Sequence, residues 1–289
     1  MKSNTLIQPI VVTLSAIVMS IGTLAGFGLI GTRVENSAGG VFAADATLIT
    51  PDTPAFSIWS LIYVGLAAYV VWQWKERGNP RAVRIGWLAS ASMVLNAMWL
   101  GVTQLGWVWP SVVVILALAV ILGMIVGRLG EEDRHSLIES VVVDGSFGIY
   151  LGWVSVASVP NVAVALIAAG VNPGAPWAEI IAILVLGLAA GLGVMFAARL
   201  GARWSVAAAM SWALAWIAIG RLGGPLYSTP VAVGAIVAAL VIIGATAYFF
   251  LNGRERSTTT TRATGDSAAA LGDDGSLRKA AKSSTRPES

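Results

Sequence analysis

The chain has 289 residues, of which 56% are hydrophobic and 11% charged, and its formal net charge is +3. With a mean hydropathy of +0.78 it carries too little polar surface to cover a water-soluble globule of this length. It contains no cysteine and one histidine, His135, which lies in a charged run and is expected at the surface. We therefore predict an integral membrane protein with no thiol chemistry and no metal site, and the small charge indicates no nucleic-acid partner.

Long apolar runs predict eight transmembrane helices, because a bilayer core about 30 Å thick needs roughly 20 apolar helical residues per crossing. The first run is about twice as long as a usual signal-peptide core, so a retained helix is favoured over a cleaved signal sequence. The predicted fold class is all-α, a polytopic helical membrane protein. The predicted spans lie near residues 8–31, 55–74, 83–105, 109–129, 141–169, 177–198, 203–221 and 230–251.

Lysine and arginine are concentrated in alternate connections, and such residues stay on the cytoplasmic side. We therefore expect both termini in the cytoplasm and the protein in the cell membrane. Residues 252–289 are polar and nearly free of large apolar side chains, which predicts a disordered cytoplasmic tail. One side carries Lys75, Arg77, Arg81, Arg84, Arg128, Arg134, Arg199 and Arg203, and the other carries Arg33 and Arg221.

Two further patterns concern helix packing and the membrane surface. Trp72 and Trp74, beside Lys75, are typical of the aromatic belt at the lipid–water interface. Pairs of small residues four apart predict close helix contacts. These pairs are Gly22 and Gly26, Gly123 and Gly127, and Gly187 and Gly191.

Ionisable residues are absent from the middle of every predicted span, and Asp144, Glu179 and Arg221 come nearest to entering one. Ion-coupled carriers usually keep a charge at depth, and hydrolysis inside the bilayer needs a buried acid or base. The pattern therefore disfavours both classes of protein, and no catalytic residue is predicted.

Aromatic and polar residues instead recur at helical spacing on three spans. Taken singly, Asn96 and Asn161 are each more typical of a hydrogen bond between helices than of a ligand contact. Pro160 frees a backbone carbonyl that Ser158 or Asn161 would bond. Together the stripes predict an apolar cavity with a few polar anchors. The stripe of the second span comprises Trp59 and Tyr63, that of the third span Ser92, Asn96, Trp99 and Thr103, and that of the fifth span Tyr150, Trp153, Ala157 and Asn161.

The stretches that carry these stripes, "SIWSLIYVGLAAYVVWQWKE", "LNAMW" and "YLGWVSVASVPN", occur in order along the chain. They resemble the second, third and fifth helices of the tryptophan-rich sensory protein family, known in animals as the translocator protein or peripheral benzodiazepine receptor. The resemblance implies a five-helix ligand-binding bundle over residues 1–170, closed by the loop between the first two helices. It also implies bulky apolar ligands such as porphyrins and sterols. Residues 171–251 would add three transmembrane helices without a counterpart. The chain departs from the family pattern at Leu48, Thr50, Ser57 and Ile149.

The leading hypothesis is a non-enzymatic membrane receptor, sensor or facilitator that binds a hydrophobic planar ligand, porphyrin-like or sterol-like. The expected partners are the lipid bilayer and a hydrophobic small molecule. A tetrapyrrole is a candidate ligand, and a homodimer is left open. One alternative is an eight-helix small-molecule transporter, suggested by a faint repeat that aligns Met93 with Met210; another is a structural membrane protein without a ligand. The predicted ligand-binding residues are Trp59, Tyr63, Asn96, Trp99, Tyr150, Trp153 and Asn161.

Overall fold

A computed structural model describes residues 4–26, 28, 40, 43–130 and 136–252, and within these ranges all regular secondary structure is helical. Within this described part of the chain, eight helices are long and apolar enough to cross a membrane, which confirms the predicted fold class. They are α1 (Asn4–Gly26), α2 (Ile58–Lys75), α3 (Pro80–Gln104), α4 (Val108–Arg128), α5 (Leu137–Ala168), α6 (Trp177–Arg199), α7 (Trp204–Gly223) and α8 (Thr229–Asn252). The predicted tail, beyond Asn252, lies outside the described residues, as do His135 and the end of the first predicted span.

Side chains cap the start of α3 and of a short helix before α2. Asn79 accepts a hydrogen bond from the Arg81 backbone N–H at 2.9 Å, and Pro80 occupies the first turn of α3, where its missing N–H costs nothing. A one-turn 3₁₀ helix, Thr53–Ser57, precedes α2, and Asp52 caps it by accepting from the Thr53 N–H at 2.7 Å. Only residues 76–79 connect α2 to α3, and such a short connection reverses the chain between the two helices.

The core of the bundle is α5, which packs against α2, α4 and α7. In its most apolar window 61% of α5 is buried, compared with 22% of α1 and 33% of α6 and α8. The α1 helix lies along α3, α3 packs on α4, and the Ile242 side chain of α8 occupies the space beside Gly193 of α6. The three least buried helices, α1, α6 and α8, therefore lie outside this core, and α5 carries the site described below.

The small-residue pairs predict these contacts poorly. A Cβ atom at Gly22 would lie 3.3 Å from the Ala97 backbone, so this glycine does bring α1 close to α3. At Gly123, Gly187 and Gly191 a Cβ would meet nothing within 4 Å among the described residues, so the prediction is wrong for these three positions. Spacing alone identifies small residues but not the helix that faces them.

The closest approach involving α5 is instead to α7. A Cβ at Gly152 would collide with the backbone carbonyl of Val206 and lie 2.8 Å from the Ala209 Cβ. Gly148, one turn earlier, would collide in the same way with the Ser205 side chain. The two glycines therefore let α7 lie directly against the central helix.

A buried charge network joins α3, α5 and α7 at one end of the bundle. Arg81 Nη2 donates to both carboxylate oxygens of Asp144, at 2.9 and 2.8 Å, and Arg203 pairs with the same carboxylate. Glu139 lies 3.9 Å from Arg81 Nη1. The Arg81 side chain is 4% exposed and that of Asp144 12%. Asp144 lies in a π-helical turn, Ser140–Gly145, that interrupts α5. This network fixes the start of α7 to the rest of the bundle.

The aromatic-belt prediction is wrong for Trp72. Its side chain is 6% exposed and stacks on Tyr69 with ring centroids 6.0 Å apart. Trp74 is half-buried, and its Nε1 donates to the Thr13 hydroxyl of α1 at 2.9 Å. Trp72 therefore contributes to internal packing, and Trp74 to the contact between α2 and α1.

Candidate ligand site

The predicted aromatic stripes of α2, α3 and α5 meet around one ring, that of Trp59. Trp59 stacks on Tyr63, one turn along α2, with centroids 5.5 Å apart, and on Trp99 of α3 at 6.1 Å. It meets Tyr150 and Trp153 of α5 edge to face at 6.0 and 6.1 Å. Aromatic pairs in such arrangements contribute about 0.5–1.5 kcal/mol each beyond burial. The structure therefore brings all five predicted aromatic residues into one cluster.

The two predicted asparagines lie in different layers of the site. The Tyr63 hydroxyl donates to Asn96 Oδ1 at 3.2 Å, so Asn96 links α3 to α2. The Ser111 hydroxyl donates to Asn161 Oδ1 at 2.9 Å, so Asn161 links α5 to the start of α4. Each asparagine therefore joins two helices, as expected if its role is a hydrogen bond between helices.

The hydrogen bonds around Pro160 differ from the prediction. Pro160 cannot donate to the carbonyl of Val156 one turn earlier. The Ser158 hydroxyl donates to the Val154 carbonyl at 2.7 Å instead, and Asn161 bonds Ser111. The predicted compensation by Ser158 or Asn161 is therefore wrong, because both side chains find partners elsewhere.

A cavity of about 40 Å³ lies beside the aromatic cluster and is lined mainly by apolar groups. Four of the seven predicted site residues line it, whereas Tyr63, Asn96 and Tyr150 lie in the layer beside it. Its lining is Thr50, Pro51, Phe56, Trp59, Trp99, Trp153, Ala157, Pro160, Asn161 and Val164.

The connection between α1 and α2 supplies part of the lining, as the family resemblance implies for its loop. We call residues 43–57 the cover segment. Its Thr50, Pro51 and Phe56 face the cavity, and Phe56 meets Trp153 edge to face with centroids 5.8 Å apart. The family resemblance pointed to this loop, "TPDTPAF", but none of its residues was predicted as a site residue. Ser111, which has no periodic signal, was not predicted either.

Three buried donors in the site have no hydrogen-bond partner among the described residues: Trp99 Nε1, Trp153 Nε1 and Asn96 Nδ2. Most buried polar groups in proteins are paired with protein, water or ligand. Three such donors lie in one cluster, and two of them belong to rings that line the cavity.

Fold and site together define a polytopic helical membrane protein with a small aromatic cavity inside its bundle. Residues 8–248 match the family model described as TSPO-like protein, and the chain belongs to this family, which confirms the resemblance seen in the sequence. The match continues past residue 170 through α6 and α7 and into α8, beyond the part in which the resemblance was recognised. Comparisons with curated proteins and with solved structures found no match.

Proposed function

We propose that this chain is a membrane receptor or facilitator that binds a hydrophobic planar ligand bearing hydrogen-bond acceptors. The observation that carries the proposal is the pair of unpartnered indole N–H donors, Trp99 Nε1 and Trp153 Nε1, on rings that line an internal aromatic cavity. Leaving such donors unpaired is costly, about 1–3 kcal/mol each, so a ligand that supplies acceptors recovers free energy on binding.

The chemistry of the lining favours one ligand class over another. Trp59, Trp99 and Trp153 offer stacking surface to a flat conjugated ring. A sterol has a single hydroxyl and no conjugated plane, whereas a porphyrin has both a plane and carboxylate acceptors. The site therefore suits a tetrapyrrole better than a sterol.

The size of the cavity adds a requirement. A volume of about 40 Å³ holds a few water molecules, whereas sites for drug-sized ligands are roughly 300–1,000 Å³. A porphyrin enters only if the cover segment or the rings of the cluster move. Because only the open form binds, the apparent affinity is the affinity of the open form multiplied by the fraction of molecules in that form.

The test is a titration of protoporphyrin IX into the purified protein in detergent micelles, followed by porphyrin absorbance. Trp153→Phe and Trp99→Phe keep an aromatic ring but remove the N–H, and each is expected to weaken binding roughly threefold to tenfold. Trp87→Phe is the matched control, because Trp87 is 57% exposed on the outer surface of α3. Equal affinities for wild type, Trp153→Phe and Trp99→Phe would refute the assigned role of the donors.

One observation favours a competing function. The close packing around Trp59 and the small cavity fit a structural membrane protein whose aromatic stripes hold helices together. That function predicts no saturable porphyrin binding by any variant. If binding does occur, porphyrin flux across proteoliposomes separates a transporter from a receptor, because a receptor gives no flux.

A further inference from the structure

The cover segment is held from outside the five-helix part of the bundle by α7. Arg221, near the end of α7, donates from Nη1 to the Thr47 carbonyl at 3.0 Å and from Nη2 to the Ala44 carbonyl at 3.1 Å. Arg221 is only 1% exposed. Burying a guanidinium costs free energy, and the two charge-assisted hydrogen bonds to loop carbonyls offset that cost only while the cover segment stays in this position.

Two further contacts join α7 to the same segment. Trp212 Nε1 donates to the Ala55 carbonyl at 3.0 Å, and the Asp52 backbone N–H donates to the Trp216 carbonyl at 3.3 Å. Residues 212, 216 and 221 all lie in the second half of α7, and the contact at 216 is made by a backbone carbonyl. The second half of α7 therefore supplies hydrogen-bond partners to backbone groups along the cover segment.

The anchored and the cavity-lining residues alternate along the cover segment. Contacts with α7 fall at Ala44, Thr47, Asp52 and Ala55, whereas Thr50, Pro51 and Phe56 line the cavity. Thr47 and Thr50 are also joined to each other by a hydrogen bond of 2.8 Å between their hydroxyls. Withdrawing the lining residues from the cavity thus requires the contacts with α7 to break.

Charge also favours the closed position. Asp45 and Asp52 of the cover segment line a second pocket together with Arg221, so two carboxylates lie near the buried cation. Their attraction adds to the two hydrogen bonds that Arg221 makes with backbone carbonyls. Asp52 is half-buried, which limits the screening of its attraction by salt, whereas Asp45 is exposed and is screened more strongly.

We infer that Trp212, Trp216 and Arg221 are positioning residues that latch the cover segment over the cavity and so control access to it. This assigns a role in the ligand site to α7, one of the three helices beyond residue 170. The inference rests on the proposed function for the identity of the ligand, but closure of the cavity can be measured without any ligand.

The first experiment uses the absence of cysteine from the chain. Ala157 lines the cavity, so Ala157→Cys places a unique thiol there, and its alkylation by N-ethylmaleimide in micelles reports access. Adding Arg221→Gln is expected to raise the alkylation rate roughly tenfold, because two charge-assisted hydrogen bonds are lost. Arg221→Lys keeps the charge but not the forked geometry, so its alkylation rate is expected to lie between those of the proteins with Arg221 and with Arg221→Gln.

Two companion variants make the result interpretable. Arg199→Gln removes an exposed arginine from the last turn of α6 and is expected to leave the alkylation rate unchanged. Trp212→Phe keeps an aromatic ring and removes one hydrogen-bond donor, so it is expected to raise the alkylation rate roughly threefold. This variant tests the latch even if Arg221→Gln does not fold. Alkylation of Ala157→Cys at the parental rate in both Arg221→Gln and Trp212→Phe would overturn the inference.

The second experiment closes the latch covalently. A Cβ at Gly220 would lie 3.4 Å from the Asp52 Cβ, close to the separation of about 3.5–4.5 Å found in disulfides. In the Asp52→Cys, Gly220→Cys protein, oxidation is expected to slow protoporphyrin IX association at least tenfold, and reduction of the same sample restores it. Equal association rates in both forms overturn the latch. If no variant binds porphyrin, the proposed function fails, and the alkylation rates alone decide the latch.

Discussion

Replacing Asp144 with asparagine removes the carboxylate that Arg81 and Arg203 share. Arg81, Arg203, Asp144 and Glu139 sum to zero charge, so the variant leaves one positive charge uncompensated in a mostly buried site. Of the two carboxylates only Glu139 remains, 3.9 Å from Arg81 Nη1. An ion pair at about 4 Å is worth about 4 kcal/mol at an effective dielectric near 20, and breaking buried pairs costs about 3–5 kcal/mol. We expect a loss of this size in the free energy of unfolding.

The assay is unfolding by sodium dodecyl sulfate titration in mixed micelles, followed by circular dichroism. Glu76→Gln is the control, because Glu76 is an exposed carboxylate at the end of α2, and its effect is expected to stay within about 0.5 kcal/mol. Adding Arg203→Gln to Asp144→Asn restores charge balance and is expected to recover part of the loss. A loss below about 1 kcal/mol for Asp144→Asn would show that the network does not hold α7 to α3 and α5.

Two further predictions use the same unfolding assay. Gly152→Ala places a Cβ 2.8 Å from the Ala209 Cβ and is expected to cost about 1–3 kcal/mol of unfolding free energy. Gly187→Ala, with open space around it, is expected to be neutral or slightly stabilising. Equal effects of the two variants would contradict the close contact between α5 and α7. Ser111→Ala removes the hydroxyl that donates to Asn161 Oδ1 and is expected to cost about 1 kcal/mol; no measurable loss would mean that this bond does not join α4 to α5.

Much of the fold could be predicted from the sequence, because the bilayer imposes length and hydropathy on each crossing. Eight spans were predicted, and the described residues contain eight helices of sufficient length and hydropathy. The aromatic stripes of α2, α3 and α5 do face one another. A stripe at helical spacing already shows which side chains share a side of their own helix. That Trp59, Trp99 and Trp153, on three different helices, face one cavity was a hypothesis drawn from the stripes together with the family resemblance, and the structure brings the three rings together.

The remaining features of the site depend on which helix lies beside which. Asn161 was a visible candidate, but its partner Ser111 could not be identified without knowing that α4 starts beside the end of α5. The family resemblance implied that the loop between the first two helices closes the cavity. The cover segment has no periodicity, however, so the particular residues that line the cavity, Thr50, Pro51 and Phe56, are identified only by the folded chain.

By itself the sequence determined the membrane class, the number of helices and the aromatic sides of three of them, since these depend on local composition and spacing. Only the tertiary structure decided that Gly152 rather than Gly187 makes the close contact, and that Arg221 is buried against the cover segment. The physical reason is that contact energies between helices depend on facing surfaces that are distant in sequence. Every apolar helix satisfies its own backbone hydrogen bonds whatever its neighbours are, so local pattern carries little information about them.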